Sequence, residues 1–112
     1  MSTLRKICDE ILKEEDPNLV LLKMKGLSYL TDYFVIVTAN SNVNMRSIRD
    51  RILEILKAAN HHVIFYDKGD DHDWMIIDAG EMVIHIFTKQ AREFYDIESL
   101  WSDTDRLDPK EV

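Results

Sequence analysis

Residues 74–88, "WMIIDAGEMVIHIFT", carry the strongest fold signal in this chain. Two apolar runs flank Ala79, Gly80 and Glu81, the pattern of a β-hairpin with a tight turn. Side chains alternate along a strand, so Trp74, Ile76 and Asp78 share one face while Met75, Ile77 and Ala79 share the other. A turn centred on Gly80 and Glu81, or widened by one residue on each side, sets Val83, His85 and Phe87 beside the first group and Met82, Ile84 and Ile86 beside the second. The aliphatic face is core under helices. The other face mixes an indole, an imidazole, a carboxylate and a phenyl ring, which is the composition of a partly dry protein contact surface; a terminal helix laid across it would account for the same residues as satisfied core groups.

"KQAREFYDIESLW" (89–101) follows as a helix or a pair of helical turns beside that face. Upstream, "KGDDHD" (68–73) is an acidic loop and "VIFYD" (63–67) a short strand. "NSNVNMRSIRDRILEILKAANHH" (40–62) is the main packing helix, capped by the polar residues Asn40 to Asn42 and ending near Asn60. Ile48, Ile52, Ile55, Leu56 and Ala59 share its apolar face. "DYFVIVTA" (32–39) and "LVLLKMKG" (19–26) are strands joined through "GLSYLT", the former nearly all apolar from Phe34 to Val37 and so central in the sheet. Residues 2–15 place Leu4, Ile7, Cys8, Ile11 and Leu12 at helical spacing after Ser2 or Thr3 as N-cap, and "EDPN" stops that helix.

The order α, β, β, α, β, β, β, α predicts a single α/β domain over residues 1–101, with a mixed sheet of about five strands packed by helices; "SDTDRLDPKEV" (102–112) is set aside as a flexible tail. At 112 residues there is room for one core and no interdomain cleft. One cysteine excludes an internal disulfide, no apolar run approaches a membrane span, and the N-terminus enters an amphipathic helix without a signal-peptide core, so a reducing cytoplasm is the expected compartment. A net charge of -7 repels a phosphate backbone and favours a basic protein surface as partner, with little or no direct nucleic-acid contact and no membrane contact.

"GLSYLTDYFVIVTANS" (26–41), the hairpin 74–88 and "REFYDIESLW" (92–101) together resemble the ribosomal silencing factors, the Iojap or RsfS family, in order and spacing from about residue 2 to Trp101. The resemblance implies a nucleotidyltransferase-like sheet in a noncatalytic translational repressor. Such a protein binds the large ribosomal subunit through ribosomal protein number fourteen and sterically blocks the small subunit under nutrient limitation. On that reading Trp74, Asp78, His85, Phe87, Arg92, Glu93, Tyr95 and Trp101 lie near the contact surface, with Trp74 and Phe87 as anchors and His85 and Asp78 orienting polar contacts. No cofactor is implied. Ala39 departs from the glycine common at that strand-to-helix turn, which weakens any backbone cradle for phosphate.

Rival chemistries have weaker signals. A nucleotidyltransferase needs a Gly-Ser turn and acids alternating along a strand; the chain has no Gly-Ser pair, and "GDDHD" is a loop. A metal site at Asp70, Asp71, His72 and Asp73 lacks the EF-hand's alternating oxygen ligands and distal Glu, so these read as solvated acids. His61 and His62 follow a helix C-terminus as ordinary capping-region residues, and Cys8 lies on an apolar stripe as packing. A third class is an adaptor whose aromatic face pairs with its own copy, a homodimer when free.

Overall fold

The computed structural model describes residues 2–24, 31–69, 72–96, 99 and 105–112. The connection "GLSYLT" falls almost wholly outside them, as do Asp70, Asp71 and Trp101. In chain order the elements are α1 (Thr3–Ile11), β1 (Val20–Lys23), β2 (Tyr33–Ala39), α2 (Asn42–Ala58), β3 (Phe65–Tyr66), β4 (Trp74–Asp78), β5 (Met82–Thr88), α3 (Lys89–Tyr95) and β6 (Arg106–Leu107).

The strands form one six-stranded sheet ordered β3-β4-β5-β2-β1-β6. β2 and β5 pair in parallel from Tyr33↔Met82 to Ala39↔Thr88, while every other neighbouring pair is antiparallel. β2 is central, as its uninterrupted apolar run requires. The hairpin closes with Trp74 opposite Phe87 and Asp78 opposite Val83, so the two faces divide as the alternation predicts. Its turn is held by Gly80, whose φ of 81° suits a residue without a Cβ, and by the Asp78 carboxylate, which accepts from the Gly80 N–H at 3.0 Å.

α1 and α2 cover the aliphatic face. Leu4, Ile7, Cys8 and Ile11 of α1, with Met45, Ile48, Ile52 and Leu56 of α2, bury against Val35, Val37, Met75, Ile77, Met82, Ile84 and Ile86. Ser2 and Ser41 cap the two helices, accepting from the N–H groups of Arg5 and Asn44. Ala59, expected on the packing face of α2, is instead its exposed C-cap, because Asn60 turns into the left-handed region there. Arg51 of α2 bridges to Glu10 at 3.1 Å and also to Glu14, tying the second helix to the first. His61 beyond α2 donates from Nε2 to the Ala79 carbonyl at 2.8 Å, so this residue anchors the hairpin turn.

The expected mixed sheet of about five strands is found with six. One expectation is corrected: the sixth strand comes from the stretch set aside as a flexible tail. Arg106 and Leu107 pair with Leu22 and Leu21, and Leu107 and Val112 pack on the main core. Arg5 of α1 donates to the Lys110 carbonyl. The free edge of β1 recruits this segment, since an open edge carries unpaired backbone groups. Deleting residues 105–112 is accordingly expected to destabilise the fold by about 1–2 kcal/mol and to lower the melting temperature by several degrees, read by thermal denaturation; an unchanged melting curve would mean that the segment contributes nothing.

Candidate functional site

On the opposite face of the sheet a second, smaller core forms. Val20, Leu22, Met24, Ile36, Phe87 and Ala91 are buried together, with Phe34 and Trp74 packed at the margin. α3 is the lid of this cluster. It continues directly from β5, with Thr88 as N-cap accepting from the Ala91 N–H, and ends where Asp96 takes a left-handed φ of 42°. Ala91 and Arg92 face inward, and Arg92 Nη1 donates to the Thr38 hydroxyl of β2 at 3.0 Å.

The aromatic groups make one contiguous stack. Trp74 lies on Phe87 with centroids 5.0 Å apart and planes 28° from parallel. Tyr95 tilts against Trp74 at 5.1 Å, and Phe94 meets Tyr95 edge-on at 5.1 Å. Beneath them His85 packs edge-on to Phe34 at 4.6 Å. Such offset and edge-on arrangements match the ring quadrupoles and stiffen the group.

His85 has a defined protonation form. The Trp74 indole Nε1 stands 3.0 Å from His85 Nδ1. An indole N–H only donates, so Nδ1 is the acceptor and the ring proton resides on Nε2. Nε2 is buried and has no hydrogen-bond partner among the described residues. Burial pushes the imidazole down from 6.5 to about 4, which keeps it neutral at physiological pH.

The expected site residues do not gather on one surface. Trp74, Tyr95 and Glu93 reach the surface, Trp74 half-buried and the other two exposed. Phe87, His85 and Arg92 do not: Phe87 is wholly buried, His85 is 5% exposed and Arg92 8%. The anchor role assigned to Phe87 is therefore corrected to a core role, because α3 lies across its face and Trp74 stacks on it. Asp78 stands at the hairpin turn, the far end of β4 from Trp74, with its carboxylate committed to Gly80. Trp101 lies outside the described residues. Phe94 was missed, and at 81% exposure it is the most exposed large hydrophobic side chain among the described residues. Spacing alone did not reveal it: Phe94 stands three residues from inward-facing Ala91, a separation that helical periodicity places on one side, and only the position of α3 on the sheet leaves this ring outside.

Beside α3 a cleft of about 500 Å³ is lined by Asp16, Asn18, Thr38, Lys89, Arg92 and Glu93, two acids against two bases, with no net charge to select an ion. Among the described residues no three His, Cys, Asp or Glu side chains gather as metal ligands, and Asp70 and Asp71 of the acidic loop are not among them. Burial, with Asp9 beside it, pushes the Cys8 thiol up to about 11, so it stays protonated at neutral pH. No helix among the described residues is long and apolar enough to cross a membrane.

The family model described as "Ribosomal silencing factor during starvation" matches residues 2–112. The chain is 31% identical over 101 residues to a protein of Bacillus subtilis named ribosomal silencing factor RsfS, covering 90% of this chain and 83% of that one. It is 32% identical over 75 residues to the mouse protein named mitochondrial assembly of ribosomal large subunit protein 1, covering 64% of this chain and 33% of the mouse protein. A crystal structure of a Chromobacterium violaceum protein superposes with a TM-score of 0.78 at 25% identity, over 91% of this chain and 88% of that one.

The buried imidazole generates a pH dependence. Above about 6.5 it is neutral whether the chain is folded or unfolded. As pH falls towards 4 the unfolded chain takes up a proton that the folded one refuses, so stability declines through this window and the loss is complete below it. The contribution amounts to about 2 kcal/mol by pH 5. Urea unfolding at pH 7 and pH 5 is expected to show a steeper loss for the wild type than for His85→Asn, the carboxylates common to both cancelling in the comparison; equal losses would place the His85 ring in contact with water.

Proposed function

Because the chain belongs to the ribosomal silencing factor family, we propose that it is a noncatalytic translational repressor. It binds the large ribosomal subunit through ribosomal protein number fourteen and, by occupying that surface, sterically blocks joining of the small subunit, above all when nutrients are scarce. Exclusion of one large body by another needs no chemistry and no cofactor. The working compartment is the cytoplasm.

The observation that carries the contact surface is the exposed aromatic pair Phe94 and Tyr95, seated on half-buried Trp74. Large rigid rings at the rim of a packed cluster are the residues that dominate protein–protein affinity, because they bury much area at little cost in conformational freedom. Glu93 beside them supplies a carboxylate for a basic partner. The formal charge of -7 supports the same partner class, since it speeds encounter with a basic ribosomal protein and disfavours direct grip on RNA phosphates. The name of the mouse relative, which ties that protein to the large subunit, supports the choice of subunit.

Purified protein is expected to cosediment with large subunits and to slow their joining to small ones in a light-scattering assay. Unchanged joining at saturating protein would sink the reading.

Phe94→Ala separates docking from folding. The side chain is 81% exposed, so its loss is expected to leave the melting temperature within a degree or two while weakening large-subunit binding by roughly 30-fold, the scale of an interface hot spot. A variant that binds like wild type removes Phe94 from the contact surface.

A further inference from the structure

We propose that His85 is the positioning residue of the docking face: its unprotonated Nδ1 holds the Trp74 indole in one orientation and thereby sets the seat on which Tyr95 and Phe94 rest. The inference rests on the ribosome-docking reading and goes beyond it, because it assigns a role to a side chain that no partner can touch.

The register makes the contact. Trp74 stands opposite Phe87 and Ile76 opposite His85, so indole and imidazole are diagonal neighbours on one face of the hairpin. At that separation long side chains reach one another, and they meet at 3.0 Å. The imidazole is itself fixed from the sides, with the Phe34 ring edge-on at 4.6 Å and the Phe87 ring nearly parallel at 6.3 Å. From this buried ring a line of contacts runs outward through Trp74 and Tyr95, 47% exposed, to Phe94.

An indole lying on an apolar surface has no reason to prefer one of its two flipped orientations unless its single N–H finds an acceptor. In the flipped orientation that N–H would lose its acceptor within a half-buried stack, with the cost of a buried unsatisfied donor. The neutral imidazole offers the lone pair, and the low-dielectric surroundings that keep it neutral also strengthen the bond. An anchor fixed before docking loses less freedom on binding, so the bond acts on affinity without entering the interface.

The test uses the full chain as wild type, His85→Asn, His85→Leu, Trp74→Phe and the double variant Trp74→Phe/His85→Leu. The readouts are affinity for isolated large subunits and the ¹⁵N-resolved indole N–H resonance, assigned to Trp74 by its absence in Trp74→Phe. His85→Leu fills similar volume without an acceptor and is expected to weaken binding roughly tenfold and to speed solvent exchange of the indole proton. His85→Asn places an amide oxygen close to where Nδ1 stands and is expected to restore most of both. In the Trp74→Phe background, His85→Leu is expected to cost little more, because the residue acts through the indole.

A His85→Leu variant that binds like wild type overturns the proposal, and so does an equal loss in the Trp74→Phe background, which would make the role one of packing alone. Should His85→Leu fail to fold, the ¹⁵N shifts of the wild-type imidazole still decide: a proton on Nδ1 overturns the assignment, and a proton on Nε2 alone supports it. Wild-type protein that does not bind large subunits would instead sink the ribosome reading, with the hydrogen bond still read from the indole resonance of the free chain.

Discussion

Seven consecutive residues of β2 lie parallel to seven of β5, and most of the architecture follows from that pairing. Parallel neighbours cannot be joined by a tight turn, so the chain between them must cross over, and it does so through α2 before returning along β3 and β4. The shared register ends at Ala39 opposite Thr88, which starts α2 and α3 at the same end of the sheet. α2 then turns to the aliphatic face and α3 to the aromatic one. Arg92 reaches back from α3 to Thr38 of β2, so the same strand pair that dictates the crossover also pins the short helix.

The aromatic face shows how a second core can be built from amphipathic groups. Each polar atom there must find a partner or be starved of water, and the Trp74–His85 bond satisfies one donor with one acceptor across adjacent strands. A wholly aliphatic face would be simpler to bury, but it would give the rings above it no preferred orientation. The cost is visible in His85 Nε2, buried without a hydrogen bond among the described residues.

Alternation with period two runs through each strand, 74–78 and 82–88, and the turn between them fixes which parities share a face, so both faces of the hairpin were legible in the sequence, as was the apolar stripe of α2. Periodicity assigns faces, however, and not neighbours. That Phe87 is sealed beneath α3 depends on where the helix lies after the chain leaves β5, which no residue of the strand encodes. β6 was illegible for a related reason: Arg106 and Leu107 stand among Asp105, Asp108 and Pro109, with no alternation of their own, and pair because β1 leaves an edge to fill. α1 ends at Ile11 with Leu12 as cap, although apolar spacing carries on through Leu12, since Asp16 and Asn18 both take left-handed backbone angles that commit the chain to a turn. Asp78 looked like a polar partner for the aromatic face because it shares the parity of Trp74, but parity is blind to distance along the strand.

A helix of seven residues is too short to hold its shape in water, so the rigidity of Phe94 and Tyr95 is borrowed. It comes from the Thr88 cap, from Ala91 packed on Phe87, and from Arg92 held by Thr38. Structural and proposed docking roles therefore merge at Trp74, whose ring stacks on Phe87, contacts Tyr95 and donates to His85. They separate only at the outer end of the stack, where a side chain touches the cluster without supporting it. Charge acts on a different step from the rings. A field spread over the whole acidic molecule speeds encounter with a basic partner and is screened by salt, whereas dry ring contacts form only after encounter and set how long the complex lasts. The proposed repressor, which would have to find a basic surface beside a larger, repelling expanse of RNA phosphate, would need both: attraction broad enough to bring it near, and a small aromatic rim to hold it at one place.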